Sequence, residues 1–207
     1  SGVKTLSVGN ETDANGDYST AIGSTVEATG SQNTAIGYGI TSNGYRSTGI
    51  GSLLNIQAAE AVAIGSQLSA AGEETVVIGS DSSASGEGAI AIGGEVVVNG
   101  AHSIGIGENL TSGTGVGNIT MGYAAINSGT AGSIAMGNGI EVSASAGIVG
   151  MGNGVLVNAS DGAVVMGNGA VSTASAEAVV IGNTASADAS ATTTAATTTK
   201  ATTTKAT

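Results

Sequence analysis

The sequence predicts an all-β fold, a parallel β-roll or β-solenoid of about 13 coils with repeats of 14 to 15 residues. An apolar residue followed by glycine recurs thirteen times without a gap, first in 14-residue and then in 15-residue steps. The residues before each pair alternate as in a half-buried strand. Glycine and other small residues are abundant, and Phe, Trp, Pro and Cys are absent. A period held over most of a chain is typical of solenoids, whose repeats pack on their neighbours.

The glycine of each pair is predicted to make the turn that ends the first strand of a coil. Glycine adopts positive φ at little steric cost. A helix is disfavoured, because each interior glycine costs about 1 kcal/mol relative to alanine. The predicted turn glycines are Gly9, Gly23, Gly37, Gly51, Gly65, Gly79, Gly93, Gly107, Gly122, Gly137, Gly152, Gly167 and Gly182.

The apolar residue of each pair is predicted to point into the solenoid. We call it position 0 and count the other positions of a coil from it. Positions −2 and 0 are apolar or threonine, and the residue between them is usually small, which is the alternation of a strand with one buried face. The predicted core column is Ile22, Ile36, Ile50, Ile64, Ile78, Ile92, Ile106, Met121, Met136, Met151, Met166 and Ile181.

A second short strand is predicted after the turn, because positions +4 and +6 are apolar or small, as at Val26 and Ala28. Position +8 is mostly glycine or alanine and is predicted to form a second turn. The additional residue of the 15-residue coils falls after this position, for example between Gly129 and Ile134. An insertion in a loop leaves the inward columns in register.

A single rod of this kind has a thin core, so we expect it to need a partner surface. Leu156, Val165 and Val171 are predicted to point outward in late coils, where earlier coils tend to be polar. They are a candidate for that surface. The alternative is the scattered apolar exposure that is normal for soluble proteins.

Charge and composition exclude several functions. The net charge is −11, and Lys4, Arg46, Lys200 and Lys205 are the only basic residues besides one histidine, which argues against nucleic-acid binding. No apolar run reaches the roughly 18 residues of a membrane span, so no membrane insertion by this segment is expected. The lack of cysteine excludes disulfides and thiolate metal sites. The start at Ser1-Gly2 predicts a processed product or a fragment.

Two domains are predicted, a β-roll head at residues 1–185 and an Ala/Thr/Lys-rich tail at 186–207. The tail is of low complexity and contains TTTKA twice. Such a composition lacks the large apolar groups that a core requires. Two interpretations stay open: a flexible or extended tail, or an extended segment that joins the rod to a stalk or to copies of itself.

The sequence predicts no enzyme, and no catalytic, cofactor-binding or metal-ligating residues. His102, the only histidine, is predicted to lie in a surface turn. The carboxylates are spread along the chain without a calcium-loop motif. An ice-binding face is disfavoured, because Thr20, Thr34 and Thr48 fall in a column predicted to point inward.

The repeats resemble a known family. Residues 61–66, Ala-Val-Ala-Ile-Gly-Ser, and residues 89–93, Ala-Ile-Ala-Ile-Gly, are similar to the head repeats of trimeric autotransporter adhesins, the YadA-like heads. The resemblance covers about residues 1–185. It implies a left-handed parallel β-roll, packed as a homotrimer at the tip of a surface fibre.

The resemblance also implies a function, that of a non-enzymatic adhesin head at the cell surface. Heads of this family bind host matrix proteins such as collagen, fibronectin or laminin, or promote autoagglutination and biofilm. The expected partners are therefore two further copies of the chain and an extracellular-matrix or cell-surface ligand, whose binding residues the sequence leaves unknown. The alternative is a structural or receptor-binding segment of a phage, viral or self-assembling extracellular fibre.

Overall fold

The computed structural model describes residues 2–143, 146–158, 161–173, 178–187 and 195–197. These residues form a parallel β-solenoid of about 12 turns, and they contain strands and turns but no helix. The all-β solenoid fold predicted from the repeat is confirmed.

Each coil consists of a first strand around position 0 and a second strand around position +5, which merge into one longer strand in five coils. The strands of the 14-residue region are β1 Leu6–Ala14, β2 Thr20–Ala28, β3 Thr34–Ser42, β4 Thr48–Ser52, β5 Asn55–Ile56, β6 Val62–Ser66, β7 Ser69–Ala70, β8 Val76–Ser80, β9 Ser83–Ala84, β10 Ile90–Val98 and β11 Ile104–Ser112. Those that follow are β12 Ile119–Tyr123, β13 Ile126–Ser128, β14 Ile134–Asn138, β15 Glu141–Ser143, β16 Val149–Asn153, β17 Leu156–Asn158, β18 Val164–Asn168, β19 Val171–Thr173, β20 Val179–Ile181, β21 Ser186–Ala187 and β22 Ala195–Thr197.

Equivalent residues of successive coils lie directly above one another. In the pairing of β6 with β8, for example, Ile64 lies beside Ile78 and Gly65 beside Gly79. The pairing offset changes from 14 to 15 residues between the pair Val98–Ser112 and the pair Ile104–Ile119. The additional residue therefore lies in the turn that leads to β12, as the spacing predicted.

The inward face of the first strand differs from the prediction. Position −1 is buried, as at Ala21, Ala63 and Val77. The column predicted as core lies on the outer face, since side chains alternate along a strand. Ile50, Ile64 and Ile78 are 41%, 39% and 36% exposed. Thr20, Thr34 and Thr48 share this outer face, so the ground for disfavouring an ice-binding face was also wrong.

The narrow interior explains this inversion. The second strand supplies the large buried side chains, among them Leu54, Ile56 and Leu68. The opposite wall must then carry small ones. A Cβ placed on Gly49, at position −1, would lie 2.6 Å from Cδ1 of Ile56. Isoleucines from both walls cannot fit into this space, because protein interiors are already close-packed.

The second strand follows the prediction. Its positions +4 and +6 are buried in coil after coil. The buried side chains at these positions include Ala14, Val26, Ala28, Ile40, Leu54, Ile56, Leu68, Ala70, Ala84, Val96, Val98, Leu110, Ile140, Val142, Val155 and Val157.

A buried polar column at position −3 was not predicted. It contains Ser19, Asn33, Ser47, Thr75, Ser103, Asn118 and Ser133. Asn118 donates from Nδ2 to the Gly129 carbonyl at 2.9 Å, and its Oδ1 accepts the Ser133 N–H at 2.9 Å. These side chains satisfy backbone groups of the second turn, where an unpaired buried group would cost about 1–3 kcal/mol.

The late outward residues are only partly as predicted. Val165 occupies position −1 and is fully buried, so its assignment to an outer surface was wrong. Leu156 and Val171 lie half-buried at position +5, on the outer side of the second strand.

Strand pairing extends past residue 185. β21 pairs with β19, and β22 pairs with β20. Residues 188–194 and 198–207, which make up most of the Ala/Thr/Lys-rich segment, lie outside the described residues.

Candidate functional site

The most extensive candidate surface is the outer side of the first strands. We call it the apolar face and define it by positions −2 and 0 of each coil. No charged residue occupies either position in any coil. Its −2 column is Val62, Val76, Ile90, Ile104, Ile119, Ile134, Val149, Val164 and Val179, preceded by threonine in three coils and leucine in the first. Continuous apolar surface of this extent on a soluble protein marks an interaction site.

The outer side of the second strands, at positions +5 and +7, carries mostly polar side chains in the 14-residue coils. We call this the polar face. Thr29 donates from Oγ1 to Oδ1 of Asn43 at 2.6 Å, and Ser85 donates from Oγ to Oδ1 of Asn99 at 2.9 Å. These hydrogen bonds join successive coils and leave the face hydrated. In the 14-residue coils, therefore, one outer side of the solenoid is polar and the other is apolar.

Positions −2 and 0, which form the apolar face, were predicted to point into the solenoid. The available signal was the size of the residue at position −1, which is mostly alanine or glycine while positions −2 and 0 are large. A thin solenoid needs the small residue inside. The same pattern then predicts a large apolar surface outside.

Glycine stacking sets how closely the coils approach. All thirteen predicted turn glycines have φ between +129° and +144°, a range that glycine tolerates and other residues rarely adopt. A Cβ on Gly79 would lie only 1.9 Å from the Gly93 carbonyl oxygen of the next coil. Backbone conformation and contact with the next coil thus both demand glycine.

Two further positions of each coil have positive φ, and they carry different residues in the two halves of the rod. Most of these positions in the 14-residue coils carry residues other than glycine, such as Gln67 with φ 54° and Glu74 with φ 56°. Most of the described ones in the 15-residue coils are glycine, as at Gly139 with φ 59°. A left-handed residue with a Cβ costs about 1–2 kcal/mol. The early coils therefore contain removable strain.

Replacing Glu74 by glycine is expected to stabilise the rod. Relief of the left-handed backbone exceeds the added entropy of the unfolded chain, for a net gain of about 0.5 kcal/mol. The matched control is Glu73→Gly, because Glu73 has no positive φ and its replacement should cost about 0.5–1 kcal/mol. Urea unfolding measures both. Shifts of the same sign in the two variants would contradict the argument.

His102 lies in an exposed second turn with φ 53°, and its backbone N–H donates to the Glu87 carbonyl at 2.7 Å. No group of three or more His, Asp or Glu side chains is placed to hold a metal ion in the described part of the chain. Over the same residues, no helix has the length and apolarity to span a membrane.

These features define a class of protein, the parallel β-solenoids, with glycine-stacked coils and one uncovered apolar face. The YadA head domain repeat matches the chain in two copies, at residues 1–25 and 70–95. The fold and these two matches support a YadA-like head domain, in agreement with the resemblance seen in the sequence. Such heads are structural adhesin domains and not a family of enzymes. A search of curated proteins found no match.

Proposed function

We propose that this chain is the head of a trimeric adhesin, exposed at the cell surface or outside the cell, that attaches to a matrix or cell-surface ligand. The observation that carries the proposal is the apolar face, which runs the length of a YadA-like solenoid. The proposal has two parts, self-assembly and adhesion.

Self-assembly follows from the cost of leaving the apolar face in water. Burial of apolar surface stabilises association by about 25 cal/mol per Å². The face repeats at the strand spacing of about 4.8 Å along the whole rod. Another copy of the chain has the same length and the same repeat, so it covers the face without gaps. Three copies around one axis form a closed assembly with heterologous contacts.

Adhesion uses the surfaces that assembly leaves exposed. With the apolar faces turned toward one another, the polar faces and the turns point to solvent. Solenoids bind through such extended surfaces. The repeated hydroxyl and amide groups of the polar face, together with the turn residues, are therefore the surfaces that meet a ligand.

One pair of measurements tests both parts. Light scattering on residues 1–207 should give three times the 19.4 kDa chain mass. Beads coated with the protein should be retained on host cells or on immobilised matrix proteins more than albumin-coated beads. A monomer would refute self-assembly. A trimer without bead retention would refute adhesion, and filaments that grow with concentration would favour the alternative of a fibre segment.

A further inference from the structure

The first coils carry most of the cationic and aromatic side chains of the rod. Lys4 and Arg46 are the only lysine and arginine among the described residues, and three of the four tyrosines lie within the first 45 residues. Tyr18 and Tyr45 share the same edge of the solenoid as the two cations, because all four belong to second turns.

Backbone hydrogen bonds stack these turns in register. The N–H of Tyr18 donates to Val3, that of Gln32 to Asp17, and that of Arg46 to Ser31, at 2.9, 2.7 and 2.9 Å. Equivalent residues of each turn share nearly one conformation, with φ between 57° and 60°. Lys4, Tyr18, Gln32 and Arg46 therefore project from the edge one coil apart, and Tyr45 directly precedes Arg46 in the same turn. We call the set Lys4, Tyr18, Gln32, Tyr45 and Arg46 the aromatic ridge.

The two tyrosine rings of the ridge are exposed, and each contacts a cationic side chain. Tyr18 is 55% exposed and Tyr45 47%. The Lys4 ammonium lies 5.2 Å from the centroid of the Tyr18 ring, and the Arg46 guanidinium carbon lies 5.9 Å from that of Tyr45. Cation–π contacts of this kind contribute about 0.5–1 kcal/mol at exposed sites. They limit the orientations of each ring, so less entropy is lost when a ligand stacks on it.

Two carboxylates lie beside the ridge, at Asp17 and Glu60. Arg46 pairs with Glu60 at 3.0 Å, and an Asp17 carboxylate oxygen accepts the Val3 N–H at 2.8 Å. The chain as a whole has a net charge of −11. A polyanion would therefore meet the Asp17 and Glu60 carboxylates beside the ridge and repulsion along the rest of the rod. The ridge favours a neutral ligand.

We infer that the aromatic ridge binds a neutral linear glycan. The C–H face of a sugar ring packs on a tyrosine ring, while the sugar hydroxyls pair with the tyrosine hydroxyl and with Gln32, Asp17 and Glu60. Tyr18 and Tyr45 belong to turns two coils apart, a separation of about 9.6 Å, which is close to the length of a disaccharide unit. This inference rests on the proposed adhesin function and names its ligand class.

The test uses the full chain on an array of neutral oligosaccharides of glucose, galactose and N-acetylglucosamine, with heparin fragments as the polyanion. Wild-type protein should bind at least one neutral oligosaccharide, and Tyr18→Ala/Tyr45→Ala should bind it about tenfold more weakly, equivalent to about 1.4 kcal/mol. Tyr38→Ala is the matched control, because Tyr38 is equally exposed in the same coils but lies at the first turn. It should bind like wild type.

Three results would overturn the inference: no binding to neutral glycans, binding that is indifferent to the Tyr18/Tyr45 change, or binding to heparin alone. Circular dichroism shows whether the double variant folds, and a single Tyr45→Ala variant replaces it if it does not. Bead retention on host cells separates this failure from that of the proposed function. If the beads are retained but no glycan binds, the proposed adhesin function holds and the chain attaches through a surface other than the ridge.

Discussion

Replacing Gly137 by alanine is expected to destabilise the rod by about 4 kcal/mol, whereas the same change at Gly139, two residues away, should cost only about 1 kcal/mol. Both glycines have positive φ, at 140° and 59°. They differ in what a new Cβ would meet. At Gly137 the Cβ would lie 1.8 Å from the Gly152 carbonyl oxygen, while at Gly139 nothing lies within 4 Å.

The difference between the two variants isolates coil stacking from backbone conformation. The clash at Gly137 involves the backbone of the next coil, which cannot move aside without breaking the ladder between β14 and β16. Thermal unfolding gives the overall loss. Hydrogen exchange should locate it around β14 and β16, because repeats in a solenoid contact only their neighbours. Equal losses in the two variants would show that φ alone, and not close stacking, requires glycine.

Introducing glutamate at Ile50, Ile64 and Ile78 together is expected to abolish self-association. The three side chains lie in successive coils of the apolar face. Three carboxylates per chain would have to be buried in the assembly, and each unpaired buried charge costs several kcal/mol. Light scattering should therefore show a monomer with the β-structure retained, because these side chains are outside the core.

The matched control introduces the same charges on the polar face of the same coils, with glutamate at Asn55, Ser69 and Ser83. Stacked like charges destabilise neighbouring strands similarly in both variants. This control should therefore lose comparable stability yet remain associated. If the control dissociates and the apolar-face variant does not, the interface between copies lies on the polar face, and the proposed interface is wrong.

The features that could be predicted from the sequence are those set by spacing. The recurring glycine pair predicted the coil length, the stacking of equivalent residues and the position of the insertion before β12. The repeat spacing is sufficient to predict these features. Parallel strands that pair in register place residues one repeat apart beside each other. Positions +4 and +6 were also assigned correctly, since apolar residues recur there while the position between them is polar in the first half.

The orientation of the first strand could not be read from spacing alone. Positions −2 and 0 alternate with position −1 under either orientation, and hydrophobicity favoured the larger side chains as the inward set. The aromatic ridge was missed for a related reason. Lys4, Tyr18 and Arg46 are widely separated in the sequence and come together only because second turns stack.

By itself the sequence determined the solenoid, its period and the positions that only glycine can occupy, because these follow from a repeat and from local backbone sterics. The tertiary structure alone decided which face is core and which is surface. The physical reason is the width of the interior, since Ile56 of the second strand already fills the space opposite Gly49. The isoleucine column is therefore displaced to the outside, where it becomes the surface available for assembly.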